Sequence, residues 1–343
     1  TALLSIINFQ TLIATKAARM CDAAGEAAVL EFGLRRAQGP DGGLSAARAS
    51  YIGGVAATSN VLAGKRYGIP VRGTHAHSWV MFFASEPDAF SRYADAMPGN
   101  CVFLVDTYDT ERGLDHAIAV GHQLAARGYR LAGVRLDSGD LAHLSQRARS
   151  KLDAAGFRDA RVIASNDLDE RLIASLRQQG ARIDTFGVGT KLVTGGDQAA
   201  LGGVYKLGAV EESPGVWRDV IKLSEQPIKV SNPGMLNVRR GWRDGEMVGD
   251  IIYDTLQTSA AQSQHASGSE DLLIPVMRAG RRVHREPLAE ARARGLRQRA
   301  GLSARSRRFD NPQPYPVVLH PDLAARKQAL IERAHAATEE AAT

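Results

Sequence analysis

Leu131-Ala132-Gly133-Val134-Arg135-Leu136-Asp137-Ser138-Gly139-Asp140 is the stretch on which the fold turns. Its apolar front half has the length of a buried strand, and it stops at a polar turn before a helical pattern starts at Leu141. Arg135, Asp137 and Asp140 therefore put one cation and two carboxylates at the carboxyl end of a strand. In parallel α/β sheets that end is where ligands bind. The same residues also suit a plain loop that ends in a helix cap, since Ser and Asp favour such positions. Taken alone, the stretch leaves both readings open.

Outward from it the pattern repeats. Cys101 to Val105 is an apolar run ending in Asp106-Thr107-Tyr108-Asp109, after which Leu114, Ala117, Ile118, Gly121, Leu124 and Ala125 share one helix face. Arg161 to Ala164 ends in Ser165-Asn166-Asp167 and leads into a helix carrying Leu172, Ile173 and Leu176. Ile183 to Phe186 ends in Gly187-Val188-Gly189-Thr190. Each unit takes roughly 20–30 residues, the length a βα crossover needs. Several polar strand ends in register predict one rim. The fold class expected is α/β, an irregular (β/α) TIM-like barrel.

Upstream, the spacing predicts a helix over 1–24, a helix over 45–66 and a short strand at 69–72 that runs into Gly73-Thr74-His75-Ala76-His77-Ser78-Trp79. If that strand continues, His75 and His77 share a face. A metal pair and a single buried, hydrogen-bonded His are both open. After Lys222 the pattern changes to short β runs at 216–223, 235–238 and 247–253, with a turn at Asn232-Pro233-Gly234. This predicts antiparallel structure in a second, smaller α+β domain. The chain closes with an extended Asn311-Pro312-Gln313-Pro314-Tyr315-Pro316 and a helix from Pro321 to Ala336.

A chain of 343 residues is long enough for two domains. Two cysteines, Cys21 and Cys101, exclude a disulfide framework and a zinc cluster and fit a reducing compartment, so a cytoplasmic protein is expected. No apolar run has the length of a membrane span, and there is no secretory signal. The first residue is Thr1 rather than Met, which leads us to expect an upstream segment. The net charge of +6 is concentrated in an Arg-rich stretch from Arg278 to Arg308. No aromatic residue interleaves with these Arg before Phe309, so a solvated helix and loop is preferred over a nucleic-acid surface.

The rim combines three chemistries. Gly187-Val188-Gly189-Thr190 and Ser165-Asn166 suit a phosphate cradle of backbone N–H groups. Asp106, Asp109, Asp137 and Asp140 suit a ribose diol or Mg²⁺. Arg35, Arg135 and Lys191 suit phosphate or diphosphate. Together they imply a phosphorylated sugar. There is no Walker-type loop, no dinucleotide fingerprint in a βα context, and no Ser-His-Asp or Cys-His arrangement.

Seven stretches carry a resemblance. They are Phe32-Gly33-Leu34-Arg35-Arg36-Ala37-Gln38-Gly39-Pro40-Asp41-Gly42-Gly43, Ser59-Asn60-Val61-Leu62-Ala63-Gly64, Gly73-Thr74-His75-Ala76-His77-Ser78, Val105-Asp106-Thr107-Tyr108-Asp109-Thr110, Arg135-Leu136-Asp137-Ser138-Gly139-Asp140, Phe186-Gly187-Val188-Gly189-Thr190 and Lys229-Val230-Ser231-Asn232-Pro233-Gly234. In this order they resemble the nicotinate phosphoribosyltransferase family, which are type II phosphoribosyltransferases. The resemblance implies a barrel domain over 25–221 and an accessory domain built from 1–24 and 222–343. It implies transfer of ribose 5-phosphate from phosphoribosyl diphosphate to nicotinate in NAD salvage, giving nicotinate mononucleotide and diphosphate. ATP would be a co-substrate, coupled through a phosphohistidine at His77. By motif, Phe32 stacks on the pyridine ring, and Arg35 lies near ring and diphosphate. Arg135 contacts phosphate, Asp137 a ribose hydroxyl, and Ser165, Gly189 and Thr190 hold the 5-phosphate. Asp106 and Asp109 handle the diphosphate and its Mg²⁺. The family is implied to act as a homodimer with the site at the interface, closed by an upstream Tyr from the neighbouring subunit; without it, impaired activity is expected. A related nicotinamide enzyme carries Asp where Ser59 stands, and neutral Ser59 avoids repelling the nicotinate carboxylate. The alternatives are a nicotinamide or quinolinate phosphoribosyltransferase, or an inactive or nucleic-acid-binding remnant of the fold.

Overall fold

The computed structural model describes residues 1–256 and 268–340, with side chains described to residue 337. The chain divides into two compact units, one of Thr1–Leu201 with Leu288–Leu296, the other of Gly202–Pro287 with the chain from Arg297 onward.

The first unit is built on six parallel strands: β1 (Ala28–Glu31), β2 (Ala57–Thr58), β3 (Cys101–Leu104), β4 (Leu131–Leu136), β5 (Arg161–Ala164) and β6 (Thr185–Val188). Their order is β2-β1-β6-β5-β4-β3, with Val29 beside Phe186 and Val134 between Phe103 and Val162. Three of the four predicted repeats sit where the sequence places them. The fourth strand starts two residues later than expected, because Asp184 is drawn into pairing with Val162 through its backbone N–H and its carboxylate. Among the described residues the sheet ends at β2 and β3, which do not pair with each other. It is an open parallel half-barrel rather than a closed ring of eight strands.

Helices cover the outside: α1 (Ala2–Ala24), α2 (Gly39–Gly53), α3 (Val61–Tyr67), α4 (His77–Phe82), α5 (Glu86–Ala96), α6 (Thr110–Ala126), α7 (Leu141–Ala154), α8 (Glu170–Gln178) and the single turn α9 (Thr190–Val193). The expected helix over 45–66 is split into α2 and α3. Gly54 turns the chain at φ 121°, β2 intervenes, and the Asn60 side chain restarts the helix by accepting from the Ala63 N–H. The expected strand at 69–72 reduces to one bridge between Thr58 and Val71. His77 begins α4, so it does not share a strand face with His75.

The core lies between sheet and helices, around Phe90, Phe103, Phe186, Leu104, Leu114, Leu136 and Leu152, each fully buried. The expected grouping of residues 1–24 with the accessory domain is corrected here. Leu12, Ile13, Ala17 and Met20 of α1 are buried within the first unit. Lys16 and Arg19 pair with Glu170 of α8 at 2.7 and 2.8 Å. The helix also passes α2 so closely that a Cβ on Gly53 would lie 2.3 Å from the Ala14 carbonyl oxygen. The other boundary falls after Leu201, not after residue 221.

The second unit contains the predicted antiparallel structure. Strands β7 (Ala209–Ser213) and β8 (Val216–Asp219) form a hairpin, and β9 (Leu236–Arg243) and β10 (Glu246–Asp254) form the centre of a four-stranded sheet. Its edges are β11 (Ser269–Asp271) and Val317–Leu319, the latter parallel to β10. The Arg-rich stretch is not uniformly solvated. Arg292, in the helix Leu288–Gly301, stacks 4.2 Å over the Tyr51 ring and donates to the carbonyls of Tyr51, Gly54 and Val55.

At Gly113 of α6, an added Cβ would lie 1.9 Å from the Val105 carbonyl oxygen, backbone that cannot yield cheaply. Gly113→Ala is therefore expected to lower stability by about 2–3 kcal/mol. Gly99→Ala, where nothing lies within 4 Å, should stay within ~0.5 kcal/mol of wild type. Chemical denaturation midpoints check both.

Candidate active site

The carboxyl ends of the parallel strands meet in one cleft of about 820 Å³. Phe32 enters it from the end of β1, Ser59 from the end of β2, Arg135 and Asp137 from β4, Ser165 from β5, and Gly187, Gly189 and Thr190 from β6. His77 enters from the first turn of α4. Arg35 and Arg36, on a one-turn 3₁₀ helix after β1, lie exposed along the same wall. An apolar chamber of about 400 Å³, lined by residues such as Leu30, Ala57, Ala132 and Ile163, shares Phe32, Gly73 and Thr74 with the cleft.

Arg135 is the best-held side chain in this cleft. Its Nε donates to Ser165 Oγ at 2.7 Å, one Nη to Thr74 Oγ1 at 3.0 Å, and the other to Asp137 Oδ1 at 2.9 Å. The guanidinium carbon lies 5.4 Å from the centre of the Phe32 ring. Ser165 in turn donates to Asp137 Oδ1. Burial alone would raise the Asp137 carboxyl. The Ser165 hydrogen bond, the Arg135 charge and His77 outweigh it and hold the group below the usual carboxylate range. A cation, a hydroxyl and an anion are thus fixed against one another with the Asp137 side chain still 28% exposed, open to a ligand.

The four candidate rim carboxylates have separate fates. Asp137 alone of them lines the cleft. Asp140 caps α7 by accepting from the His143 N–H at 3.1 Å, the bland reading of that residue. Asp109, expected at the diphosphate and Mg²⁺, instead caps α6 by accepting from the Arg112 N–H at 2.8 Å. It sits directly before a helix start, where a carboxylate satisfies free N–H groups. Asp106 braces the loop after β4: its Oδ2 accepts from the Asp137 N–H at 2.8 Å and from Ser138 Oγ at 2.6 Å. Its Oδ1 is buried and has no partner, which fits an oxygen awaiting a cation or water. Among the described residues no three His, Cys, Asp or Glu side chains are grouped to hold a metal ion. Lys191, a candidate cation, lies in α9 and is not part of the cleft wall.

The two histidines part company. His75 is 6% exposed, accepts from the Leu104 N–H at 3.2 Å, and lies edge-on to Tyr93 with ring centres 4.9 Å apart. It is the buried structural histidine, and no metal pair forms. His77 has Nδ1 3.1 Å from Thr107 Oγ1 and Nε2 3.6 Å from Asp137 Oδ2. One ring nitrogen is thereby engaged with a hydroxyl, and the other faces the Arg135–Asp137 pair.

Thr74 and Thr107 escaped sequence reading: they carry no spacing signal and act as partners of Arg135 and His77. Asn166, read from sequence as part of the phosphate cradle, and Asp167 line the cleft with φ 107° and 41°, left-handed values that side chains rarely adopt. Gly187 has an unseen steric role, because a Cβ there would lie 2.8 Å from the Phe32 ring.

Comparison with known proteins gives consistent matches. The profile of the nicotinate phosphoribosyltransferase (NAPRTase) family matches residues 27–231, and that of the nicotinate phosphoribosyltransferase C-terminal domain matches residues 244–327. A nicotinate phosphoribosyltransferase of Bacillus subtilis (strain 168) is 57% identical over 241 residues, which cover 70% of this chain and 49% of that protein. One from Mycobacterium tuberculosis (strain H37Rv) is 41% identical over 322 residues, covering 93% of this chain and 66% of that protein. The crystal structure of human nicotinic acid phosphoribosyltransferase superposes with a TM-score of 0.79 at 32% identity, covering 96% of this chain and 76% of that one. The chain thus spans about half the length of the Bacillus protein and 66% of the mycobacterial one.

His75 yields a pH prediction. Burial pulls its imidazole down from 6.5 to about 4, with Arg135 and His77 adding to the effect and the Ala76 carbonyl opposing it. A depressed folded-state pKa means that the neutral ring is what folding favours. Its contribution is complete above pH 6.5 and is lost as the pH falls toward 4. Unfolding free energy should drop by about 3 kcal/mol more across that window in wild type than in His75→Gln. Parallel denaturation curves for the two proteins would contradict this.

Proposed function

The chain belongs to the nicotinate phosphoribosyltransferase family, and on that premise we propose that it transfers ribose 5-phosphate from phosphoribosyl diphosphate to nicotinate, giving nicotinate mononucleotide and diphosphate in NAD salvage. The observation that carries this reading is the fixed Arg135–Ser165–Asp137 group set against the face of Phe32. It offers a flat aromatic surface for a pyridine ring beside a cation and a carboxylate for a ribose phosphate.

In this reaction the bond from C1 of the ribose to diphosphate breaks and a bond from C1 to the pyridine nitrogen forms. Positive charge develops on the sugar and negative charge on the leaving diphosphate, as in glycoside transfer. Nicotinate brings its own nucleophile, so the protein positions both reactants and stabilises charge. Phe32 stacks on the ring. Asp137, held ionised by its neighbours, accepts from ribose hydroxyls and faces the developing positive charge. Arg135, with Arg35 at the exposed wall, binds phosphate oxygens. Ser165, Gly189 and Thr190 cradle the 5-phosphate. Mg²⁺ bound with the diphosphate would supply charge neutralisation there, and Asp106, beside the Asp137 turn, is the carboxylate that would help to hold it.

ATP is the proposed co-substrate. His77 Nε2 is free of the Thr107 contact and is the nitrogen assigned to accept the γ-phosphoryl group, with ADP leaving. The phosphate would add about −1.5 to −2 charge beside Asp137 and opposite Arg135, shifting the balance of the pair that binds the ribose phosphate. A homodimer with the site near the interface is supported by apolar side chains flanking the cleft. Val61 and Leu62 follow Ser59, while Met81 and Phe82 end the helix that His77 begins, and all four are exposed. A cytoplasmic site of action is part of this reading; among the described residues no helix is long and apolar enough to cross a membrane.

The test is formation of nicotinate mononucleotide with and without ATP. Wild type should turn over faster with ATP, and His77→Ala should lose that stimulation. Full-rate, ATP-independent turnover by wild type would remove the role given to His77. Arg135→Lys, which cannot reach three acceptors in one plane, should lower kcat/KM by roughly 10²-fold or more. Ser59→Asp should weaken nicotinate use by about tenfold through charge repulsion with its carboxylate, and an unchanged nicotinate kcat/KM in that variant would refute the specificity role.

A further inference from the structure

Strands β1 and β2 lie side by side in parallel register, with Glu31 opposite Thr58. The next residue on β1 is Phe32, and the next after β2 is Ser59. The two side chains assigned to the pyridine substrate therefore leave the sheet at one level, from neighbouring strands. Besides the backbone pairing of the two strands, one side chain, a carboxylate, ties their turns together. Glu31 is 1% exposed. Its Oε1 accepts from the Gly33 N–H and its Oε2 from the Thr58 hydroxyl. Its backbone carbonyl accepts from the Ser59 N–H at 2.9 Å. Thr58 Oγ1 passes the connection on by accepting from the Asn60 N–H at 2.9 Å, and Asn60 caps α3 through Ala63 at 3.1 Å.

We propose that Glu31 is a positioning residue for the pyridine substrate: its buried carboxylate ties the Phe32 turn to the Ser59 turn and sets the gap between ring-stacking and carboxylate-facing groups. The inference rests on the phosphoribosyl transfer proposed above. A plain strand of this length would place an apolar side chain here, since burying a carboxylate is costly. Burial raises the Glu31 carboxyl, while Thr58 and Gly33 pull it back; no cation contributes. Glutamine replaces it only in part. The Gly33 N–H and the Thr58 O–H both donate to this side chain, and glutamine offers one acceptor oxygen where the carboxylate offers two, so one of the two donors loses its acceptor. The turn also has no slack: a Cβ on Gly33 would lie 2.2 Å from Val193. Loss of either tie moves Phe32 relative to Ser59, and orientation errors of that kind are felt in binding and rate.

The test measures KM for each substrate in the intact protein, together with nicotinate binding by calorimetry. Glu31→Gln should raise KM and Kd for nicotinate about tenfold, the loss of one charge-assisted hydrogen bond, with KM for phosphoribosyl diphosphate within about twofold. Thr58→Val should do the same without touching the carboxylate, and Thr58→Ser should fall nearer wild type. The double variant Glu31→Gln/Thr58→Val should be no worse than the worse single, because both cut one link. Nicotinate KM unchanged in both single variants, or both substrates' KM rising together, would overturn the inference while an active wild type leaves the proposed reaction standing. A wild type that neither binds nor converts nicotinate would overturn both.

Discussion

The site depends on how one guanidinium is held. Arg135 projects from β4, half-buried, and its donors are taken by three elements: Thr74 on the loop before α4, Ser165 after β5, and Asp137 beyond the end of its own strand. A desolvated cation in such a place is stable only when its acceptors are fixed too. They are. Ser165 is 3% exposed and bonded to Asp137, and Asp137 has its backbone N–H held by Asp106 from the end of β3. The rim is therefore braced sideways across three strands before any ligand arrives, the preorganisation that charge-stabilising catalysis requires. Phe32 and Gly187 complete it from the other side, the glycine leaving room for the ring.

The neighbouring wall is organised by the opposite device, a buried acid with hydrogen-bond donors in place of a buried cation with acceptors. Glu31 joins β1 to β2 as Arg135 joins β4 to β5, so the cleft lies between two polar ties. The second unit is held differently again. Among its described residues the buried apolar side chains are Pro233, Met247, Tyr253 and Leu323. Ion pairs carry much of the rest: Arg240 with Asp250 and Arg239 with Asp271, each at 2.8 Å, and Arg326 bridging Asp219 and Asp254. Such pairs fix geometry more than they add stability.

How much of this was legible in sequence varies with the element. Strands β3, β4 and β5 announced themselves because each is an apolar run cut off by Asp or Ser. Strand β1 did not, since four residues ending in a buried Glu31 look like a segment boundary, and β2 is only two residues long. Arg135, Asp137, Ser165, Gly189, Thr190 and Phe32 do meet in one cleft, as the repeated rim and the family motifs indicated. Asp109 and Asp140 were indistinguishable from Asp106 and Asp137 by residue type. A carboxylate just before a helix serves equally as cap or ligand, and only the hydrogen-bond partner separates the two. His75 and His77 were likewise separable only once the chain turned into α4 between them. The open edge of the sheet was invisible because strand count does not fix closure.

The central claim is that the Arg135–Asp137 group and Phe32 form one binding face. A crystal structure of the intact protein with nicotinate mononucleotide, diphosphate and Mg²⁺ tests it most directly. The account predicts the pyridine ring on Phe32, ribose hydroxyls on Asp137, the 5-phosphate against Ser165, Gly189 and Thr190, and diphosphate toward Arg135 and Asp106. A nucleotide bound elsewhere, or one in this cleft with its ribose turned away from Asp137, would contradict it.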